Sequence, residues 1–329
     1  MGDEGTVAGG VQITGDTTLE ADLACPQGPG LVVVADGVTL DLGGHTVSGG
    51  TDLGNRGPGI VLRGVTGCTV RNGTVEGFDA GVAIEGGGAN AVEGLTVQDN
   101  IGSPDGDYGD GIVVNDSRDN RLQGNVLRRN GPFSGISLGP RASGNQVLDN
   151  TVADHDMSQS PLPDAGRQTM GIRVEGPAAN HNRIAGNTVT GSGCDGIVVL
   201  ATCDNPGDEP PCAGTPPNEH NEILANTSNG NGRSGRGCGV RLFSMPLPMP
   251  PVHNVVRDNV ADDNASYGIA LDGLPVGSPG NTATGNRGQG NGEFDGSDGT
   301  LMPPCGRNMW DANRFGTVNQ PCVSRGAPE

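Results

Sequence analysis

Side chains suited to acid–base chemistry recur around a repeated Gly-Ile/Val motif in the middle of the chain. Arg173 and Glu175 alternate with the apolar residues of GIRVE, and Arg241 alternates in the same way within GVRLF. Because successive side chains of a strand point to opposite faces, these three residues are expected outside an apolar core. Guanidinium groups there would neutralise a uronate carboxylate and acidify the proton on the adjacent carbon. The pattern predicts a proton-abstraction site, although Arg173 with Glu175 also fits a plain surface ion pair.

Further candidates lie beside these strands. Asp110 and Asp195 stand two residues before an inward Ile, where they serve either as carboxyl catalysts or as turn caps. His155 lies in a loop between Asp154 and Asp156, and a neighbouring carboxylate can orient His as an acid or a base. The residues predicted to be catalytic are His155, Arg173, Arg241, Asp195, Glu175 and Asp110. Those predicted to bind substrate are Asn115, Tyr108, Arg167, Phe243 and Asp156, with Tyr108 also a candidate proton donor.

Two other sets of polar residues have side chains suited to metal binding or acid–base chemistry. Asp105, Asp107 and Asp110 could supply oxygen ligands to Ca²⁺, although the Gly and Glu of an EF-hand loop are missing. Calcium is therefore the one cofactor that the sequence suggests. The other histidines are expected in turns or stacked positions without a catalytic role: His45, His181, His220 and His253.

The elements that must position these residues are short repeats. The Gly-Ile/Val motif recurs as GIVL, GVAI, GIVV, GISL, GIRV, GIVV, GVRL and GIAL. A second motif, Asn-x-Val or a close variant, recurs at intervals as short as 22 residues, which suffices for one coil of three short strands. A unit this short cannot bury an apolar face alone, so neighbouring coils must stack.

Stacked coils about 4.8 Å apart would place equivalent side chains in columns. The predicted interior column is Ile60, Val82, Ile112, Ile136, Ile172, Ile197, Val240 and Ile269. The predicted turn column is Asn72, Asn125, Asn150, Asn187, Asn226, Asn259 and Asn286. Insertions at 101–110, 154–170, 201–217 and 244–251 flank the Gly-Ile strands and predict a groove over their outer face.

With these repeats, the chain resembles the right-handed parallel β-helix superfamily that contains pectate and pectin lyases. The opening GDTTLEADLACPQGPGLVVVADGVTLDLGGHTVSG resembles the first coils of secreted bacterial members, and the closing NMWDANRFGTVNQPC resembles their C-terminal cap. The resemblance implies an all-β, single-stranded right-handed parallel β-helix of about ten coils in one domain. Its expected parts are an N-terminal cap (1–30), coils (31–297) and a C-terminal cap (298–329).

Composition limits the partners and the compartment. The net charge is −19 and all basic residues are Arg, so nucleic acid and anionic membranes are disfavoured as partners. No apolar stretch approaches the ~18 residues of a membrane span. Eight cysteines without zinc-type spacing predict disulfides, by proximity Cys203 with Cys212 and Cys305 with Cys322. Disulfides favour a secreted protein, which we interpret as a form without its signal peptide.

Three functions remain open. The first is a polysaccharide lyase or epimerase that removes the proton beside a uronate carboxylate, with His155 or an Arg as base. The second is a glycoside hydrolase that uses two carboxylates drawn from Asp110, Asp195 and Glu175. The third is a non-catalytic glycan-binding or spacer protein, which fits the scarcity of aromatic side chains at 2%. A polysaccharide or oligosaccharide is the expected ligand, and the oligomeric state is left open.

Overall fold

Parallel strands make up the regular structure of this protein. The computed structural model describes residues 10–52, 56–103, 106–156, 169–202, 214–244, 250–272, 280–300 and 304–324. Within these residues, the only helix is a short 3₁₀ turn at Pro321–Ser324. The predicted all-β class is confirmed.

The Gly-Ile/Val motifs form one parallel sheet of eleven strands, called sheet A here. Its strands are β1 (Val11–Ile13), β4 (Leu31–Val33), β7 (Pro58–Arg63), β9 (Ala80–Glu85), β11 (Asp110–Asn115), β14 (Ser134–Leu138), β17 (Met170–Glu175), β20 (Ile197–Ala201), β23 (Val240–Ser244), β26 (Tyr267–Leu271) and β29 (Phe294–Asp298).

The remaining strands form two further parallel sheets. Sheet B contains β2 (Thr17–Thr18), β5 (Thr39–Asp41), β8 (Thr69–Glu76), β10 (Ala91–Gln98), β12 (Arg121–Gln123), β15 (Gln146–Leu148), β18 (Arg183–Ala185), β21 (Glu222–Leu224), β24 (Val255–Arg257), β27 (Thr282–Thr284) and β30 (Met309–Asp311). Sheet C contains β3 (Leu23–Cys25), β6 (Thr46–Gly49), β13 (Val126–Arg128), β16 (Thr151–Ala153), β19 (Thr188–Thr190), β22 (Thr227–Asn229), β25 (Val260–Asp262), β28 (Arg287–Gln289) and β31 (Arg314–Phe315), and the long strands β8 and β10 run through both sheets. Each complete coil thus contributes to A, B and C, as the β-helix prediction requires.

The predicted interior column is confirmed by the register of sheet A. Ile112 pairs with Ile136, Ile136 with Ile172, and Ile172 with Ile197. Every member of the column is at most 1% exposed. Burial of such a side chain contributes about 1.5–3 kcal/mol, so the stacked column supplies much of the driving force for folding.

The turns contain asparagine ladders whose amides satisfy one another along the axis. Asn150 shows the pattern: its backbone N–H and its Nδ2 both donate to Oδ1 of Asn187, and Nδ2 also donates to the carbonyl of Leu122. The predicted column from Asn125 to Asn286 follows this pattern and extends to Asn313. A buried amide left without partners costs about 1–3 kcal/mol, so the ladders fix the stacking of the coils.

The prediction for Asn72 is wrong by one position. Asn72 has a φ of 60° and is exposed, and its Nδ2 donates to the carboxylate of Asp41. The ladder position in the next coil is taken by Leu95, whose N–H donates to Asn125. The structure contains two more ladders that were not predicted. The second ladder runs from Asn90 to Asn308. The third ladder begins at Asn100.

The C-terminal end is closed by a disulfide between Cys305 and Cys322, as predicted. Nε1 of Trp310 donates to Oδ2 of Asp298 at 2.8 Å, which ties the same end to sheet A. The other predicted pair, Cys203 with Cys212, lies outside the described residues. In the described part of the chain, no helix has the length and apolarity to cross a bilayer. The boundaries of the caps at 1–30 and 298–329 stay predictions.

Candidate functional site

Arg173 lies on the outer face of sheet A, as predicted. It is in register between Ser137 and Val198, one strand to either side. Nη1 of its guanidinium lies 2.8 Å from Oε2 of Glu175, and Nη2 lies 3.7 Å from Oδ1 of Asp110. The guanidinium carbon is 5.7 Å from the ring centre of Phe133. We call Asp110, Phe133, Arg173 and Glu175 the Arg173 cluster.

Arg241 repeats this arrangement two strands away. It pairs in register with Val198, which pairs with Arg173. The two arginines therefore lie in the same row of outward side chains, with one strand between them. Nη2 of Arg241 lies 3.2 Å from Oδ2 of Asp272, and Nη1 lies 3.7 Å from Oδ2 of Asp195. Its guanidinium carbon is 4.1 Å from the ring centre of Phe243. We call Asp195, Arg241, Phe243 and Asp272 the Arg241 cluster.

The two clusters contain more negative than positive groups. Two guanidinium groups face four carboxyl groups, and each arginine therefore has two acidic neighbours. Asp272 was not among the predicted site residues, although it stands at the alternating position beyond Ala270. Phe133 was also missed, because no strand periodicity distinguishes it in the sequence.

Burial sets the protonation of the acids. Asp110 is 2% exposed, and burial raises its pKa to about 6, although the Arg173 guanidinium acts in the opposite direction. Burial likewise raises the pKa of Asp272 above its usual value. Asp110 therefore keeps its proton to a higher pH than an ordinary aspartic acid does. Oδ1 of Asp195 accepts the backbone N–H of Cys238 at 2.7 Å.

Arg241 is a poor candidate for a catalytic base. Burial would lower the pKa of Arg241, but the carboxylates of Asp195 and Asp272 raise it above the usual value of a guanidinium. A general base must give up its proton near the working pH. The arginine-as-base version of the lyase prediction thus has no support from the electrostatics of this residue.

The predicted groove floor is less open than strand alternation indicated. Val113, Ser137 and Val198 point outward between the core residues, yet they are only 5%, 2% and 1% exposed. Side chains one step further along the strands remain partly exposed, and these are Glu85, Asn115, Glu175, Phe243 and Asp272. These side chains form the solvent-exposed surface of the site, whereas Asp110 and Asp195 are each only 2% exposed.

Tyr108 and Asn115 lie toward the N-terminal side of the Arg173 cluster. The Tyr108 hydroxyl donates to the carboxylate of Glu85, which lies 3.0 Å from Nε of Arg63. Burial raises the pKa of Tyr108 above its usual value, and the Glu85 carboxylate adds to this effect. Glu85 pairs with Asn115 and stands three strands from Glu175, about 14 Å at the ordinary strand spacing. Tyr108 is therefore not positioned as the proton donor beside Arg173.

His155 is buried, and its prediction as a base in an exposed loop is wrong. Its side chain is 0% exposed, and Nδ1 accepts the backbone N–H of Asn130 at 3.1 Å. His155 thus occupies the next position of the third ladder after Asn100 and Asn130. Burial lowers its pKa, which favours the neutral imidazole. A side chain enclosed between coils cannot take a proton from a substrate on sheet A.

Asp156, which was predicted to bind substrate, forms an ion pair with Arg233. Its Oδ2 lies 2.9 Å from Nη1 of Arg233, and Oδ1 of Asp154 lies at the same distance from that nitrogen. This contact holds the end of the 154–156 segment against a later coil. Arg167 lies outside the described residues.

The calcium prediction at 105–110 has little support from the described residues. Asp107 is exposed, whereas Asp110 is buried beside the Arg173 guanidinium, and Asp105 lies outside the described residues. Within the described ranges, the one group of three potential metal ligands lies elsewhere, at Glu219, His220 and His253.

Known proteins share the architecture that carries these clusters. A family model described as "Right handed beta helix region" matches residues 31–207, more than half of the chain. A search of curated protein sequences gives no significant match. The solved structure of pectate lyase Pel9A is 14% identical with a TM-score of 0.61, over 92% of this chain and 70% of that one.

Two further solved structures extend the comparison. A point mutant of the periplasmic alginate epimerase AlgG is 13% identical with a TM-score of 0.60, over 94% of this chain and 76% of that one. The Dettilon tailspike protein is 16% identical with a TM-score of 0.52, over 95% of this chain and 61% of that one. The present chain thus spans less than two thirds of the tailspike. At these identities the matches establish a common fold.

Proposed function

Because this chain belongs to the right-handed β-helix family, we propose that it is a secreted carbohydrate-active enzyme that binds a polysaccharide over sheet A. We further propose that it cleaves a glycosidic bond at the Arg173 cluster. Structural neighbours named as a pectate lyase, an alginate epimerase and a glucanase support the carbohydrate-active class. The Cys305–Cys322 disulfide supports an oxidising compartment.

The observation that carries the proposal is the placement of two carboxyl groups on either side of one guanidinium. Asp110 and Glu175 contact the two terminal nitrogens of Arg173, so their contacting oxygens are at most about 9 Å apart. Glycosidases separate their two carboxyl groups by about 5–5.5 Å when retaining and about 6.5–9.5 Å when inverting. Asp195, by contrast, is three strands from Asp110 along sheet A, about 14 Å, and is too distant to be its partner.

The two carboxyl groups differ in the way that bond cleavage requires. The raised pKa of Asp110, about 6, keeps a proton available near neutral pH for the leaving oxygen. Glu175 is partly exposed and paired with Arg173, and it either activates a water molecule or attacks the anomeric carbon. Arg173 positions both groups. The stereochemistry of the product distinguishes the two roles of Glu175.

A second candidate function is elimination or epimerisation at a uronate. It is favoured because Arg173 and Arg241 lie in the same row of outward side chains along the helix axis. One strand separates them, so two cationic groups lie about 10 Å apart along the axis, a spacing suited to a polymer with repeated carboxylates. Against it, four carboxyl groups already offset the two arginines, and His155 is buried. The charge balance favours a neutral glycan.

The test compares neutral glucans with uronate polymers, with and without Ca²⁺. Hydrolysis releases reducing ends without absorbance near 230 nm, whereas elimination produces that absorbance through an unsaturated product. Epimerisation changes the uronate composition by NMR without chain cleavage. We expect reducing ends alone; binding without turnover on the whole panel would instead identify a glycan-binding protein.

Matched variants test the residues. Glu175→Gln and Asp110→Asn should each lower kcat/KM by about 10²–10⁴-fold, the range of general acid–base catalysis. Glu85→Gln is the control, because Glu85 lies on the same face, pairs with Arg63 and is equally exposed at 27% against 28% for Glu175. Activity that survives Glu175→Gln, or that falls equally in the Glu85 variant, contradicts the assignment.

A further inference from the structure

Three of the five histidines form a stack on the turns between sheets A and B. The ring centres of His181 and His220 are 5.1 Å apart, and those of His220 and His253 are 5.5 Å apart. Each belongs to a successive coil, immediately before a ladder asparagine. The stack is outside the two arginine clusters and has no part in the proposed cleavage.

The backbone at this turn does not require histidine. His181, His220 and His253 have φ values of 57°, 57° and 56°, in the left-handed region. Other coils place different residues before the ladder asparagine with the same sign of φ, namely Ala89, Asp119, Gly144 and Gly280. Imidazoles in three consecutive coils therefore need a reason beyond turn geometry.

Glu219 offers such a reason, because its carboxylate lies close to one nitrogen of each of two rings. Its Oε2 is 3.8 Å from Nε2 of His220 and 3.7 Å from Nδ1 of His253. All three ligand atoms lie within 4.8 Å of one another. Ligands bound to a tetrahedral zinc ion at about 2.0–2.1 Å are separated by about 3.3 Å, so the exposed rings would have to turn out of their parallel stack to seat an ion.

We propose that Glu219, His220 and His253 form a surface site for a divalent transition-metal ion such as Zn²⁺. Imidazole nitrogen with one carboxylate oxygen is a donor set that suits Zn²⁺, Ni²⁺ and Cu²⁺ better than Ca²⁺ or Mg²⁺. The side chains are 30%, 49% and 59% exposed, so the ion can enter from solvent and retain water in its remaining positions. The strongly acidic chain attracts cations to its surface.

The experiment is a calorimetric titration of the full chain with Zn²⁺ alone at neutral pH. We expect saturable binding with one ion assigned to this site and a rise in Tm that increases with zinc concentration. His220→Asn and His253→Asn should each weaken that binding at least tenfold, and asparagine tolerates the left-handed backbone. His45→Asn is the control, because His45 is also partly exposed beside a single carboxylate, Asp22, at 3.3 Å.

Three outcomes of these titrations would contradict the proposed metal site. Absence of saturable binding, unchanged affinity in both His220 and His253 variants, or an equal loss in the His45 variant overturns the proposal. Circular dichroism establishes that each variant is folded. If a variant does not fold, zinc-dependent shifts of the imidazole NMR signals in the unsubstituted chain decide, with two ring systems expected to move strongly.

Discussion

Acidification should destabilise this protein through His155. Burial lowers the pKa of this imidazole, an effect that the neighbouring Asp154 and Asp156 carboxylates oppose only in part. The unfolded chain therefore binds a proton that the folded chain excludes. For a group with a lowered pKa of this kind, stability is unaffected above its unfolded pKa of about 6.5 and decreases as pH falls below it.

The size of the effect follows from one proton. One proton limits the slope of the unfolding free energy to at most about 1.4 kcal/mol per pH unit, and therefore limits the loss between pH 6.5 and 5 to at most about 2 kcal/mol. Asp110 acts in the opposite direction, because its raised pKa of about 6 lets the folded chain bind a proton before the unfolded chain does. Total stability therefore combines both effects, and a variant is needed to separate them.

His155→Asn isolates the histidine contribution. Asparagine fits the ladder position and accepts the same backbone N–H of Asn130 through Oδ1, but it does not titrate. Urea unfolding of both chains at pH 7.5, 6.5 and 5 should show the variant gaining stability relative to the parent across the lower interval, by up to about 2 kcal/mol. A difference independent of pH refutes the buried, neutral state. Loss of activity at unchanged stability would return His155 to the catalytic set.

Three further outcomes are expected. Asn187→Ala leaves a buried N–H of the preceding coil unpaired and should reduce the unfolding free energy in urea by about 1–3 kcal/mol, whereas Asn72→Gly should change it little because Asn72 is exposed and glycine adopts the same left-handed backbone. Cys322→Ser opens a bridge between residues 17 apart and should cost about 3 kcal/mol in calorimetric unfolding; no change in Tm would contradict this. Hydrolytic activity should fall as pH rises through about 6, where Asp110 loses the proton it donates, and a rate that increases there argues against this role.

Much of the architecture could be predicted because apolar periodicity is a local property. The alternation in GIRVE places Arg173 outward between Ile172 and Val174, and the structure confirms this register. The same reasoning puts Arg241 in one file with Arg173. Alternation does not predict how far the outward side chains are exposed to solvent, since Val198 points outward and is still buried.

The errors at His155 and Asn72 have a common physical origin. Both were interpreted from immediate neighbours, whereas their roles depend on contacts one coil away. A five-residue spacing carries the missing information: Asn120, Asn125 and Asn130 recur as Asn145, Asn150 and His155. Measured by that spacing, His155 falls on a ladder position and Asn72 does not. The partners of the arginines, such as Asp272, depend on side-chain directions that spacing does not give.

The coils of sheet A fix the spacing of the side chains on its outer face. The distance between Arg173 and Arg241 is determined by the single coil that contains Val198, because each coil advances the axis by one strand. Lengths along this surface can change only in whole steps of about 4.8 Å. Excising residues 188–226, one full coil by the Asn187 and Asn226 positions, would bring the two guanidinium groups onto adjacent strands. Gain or loss of a whole coil can thus change the distance between charged groups on such a surface while the stacked apolar interior stays the same.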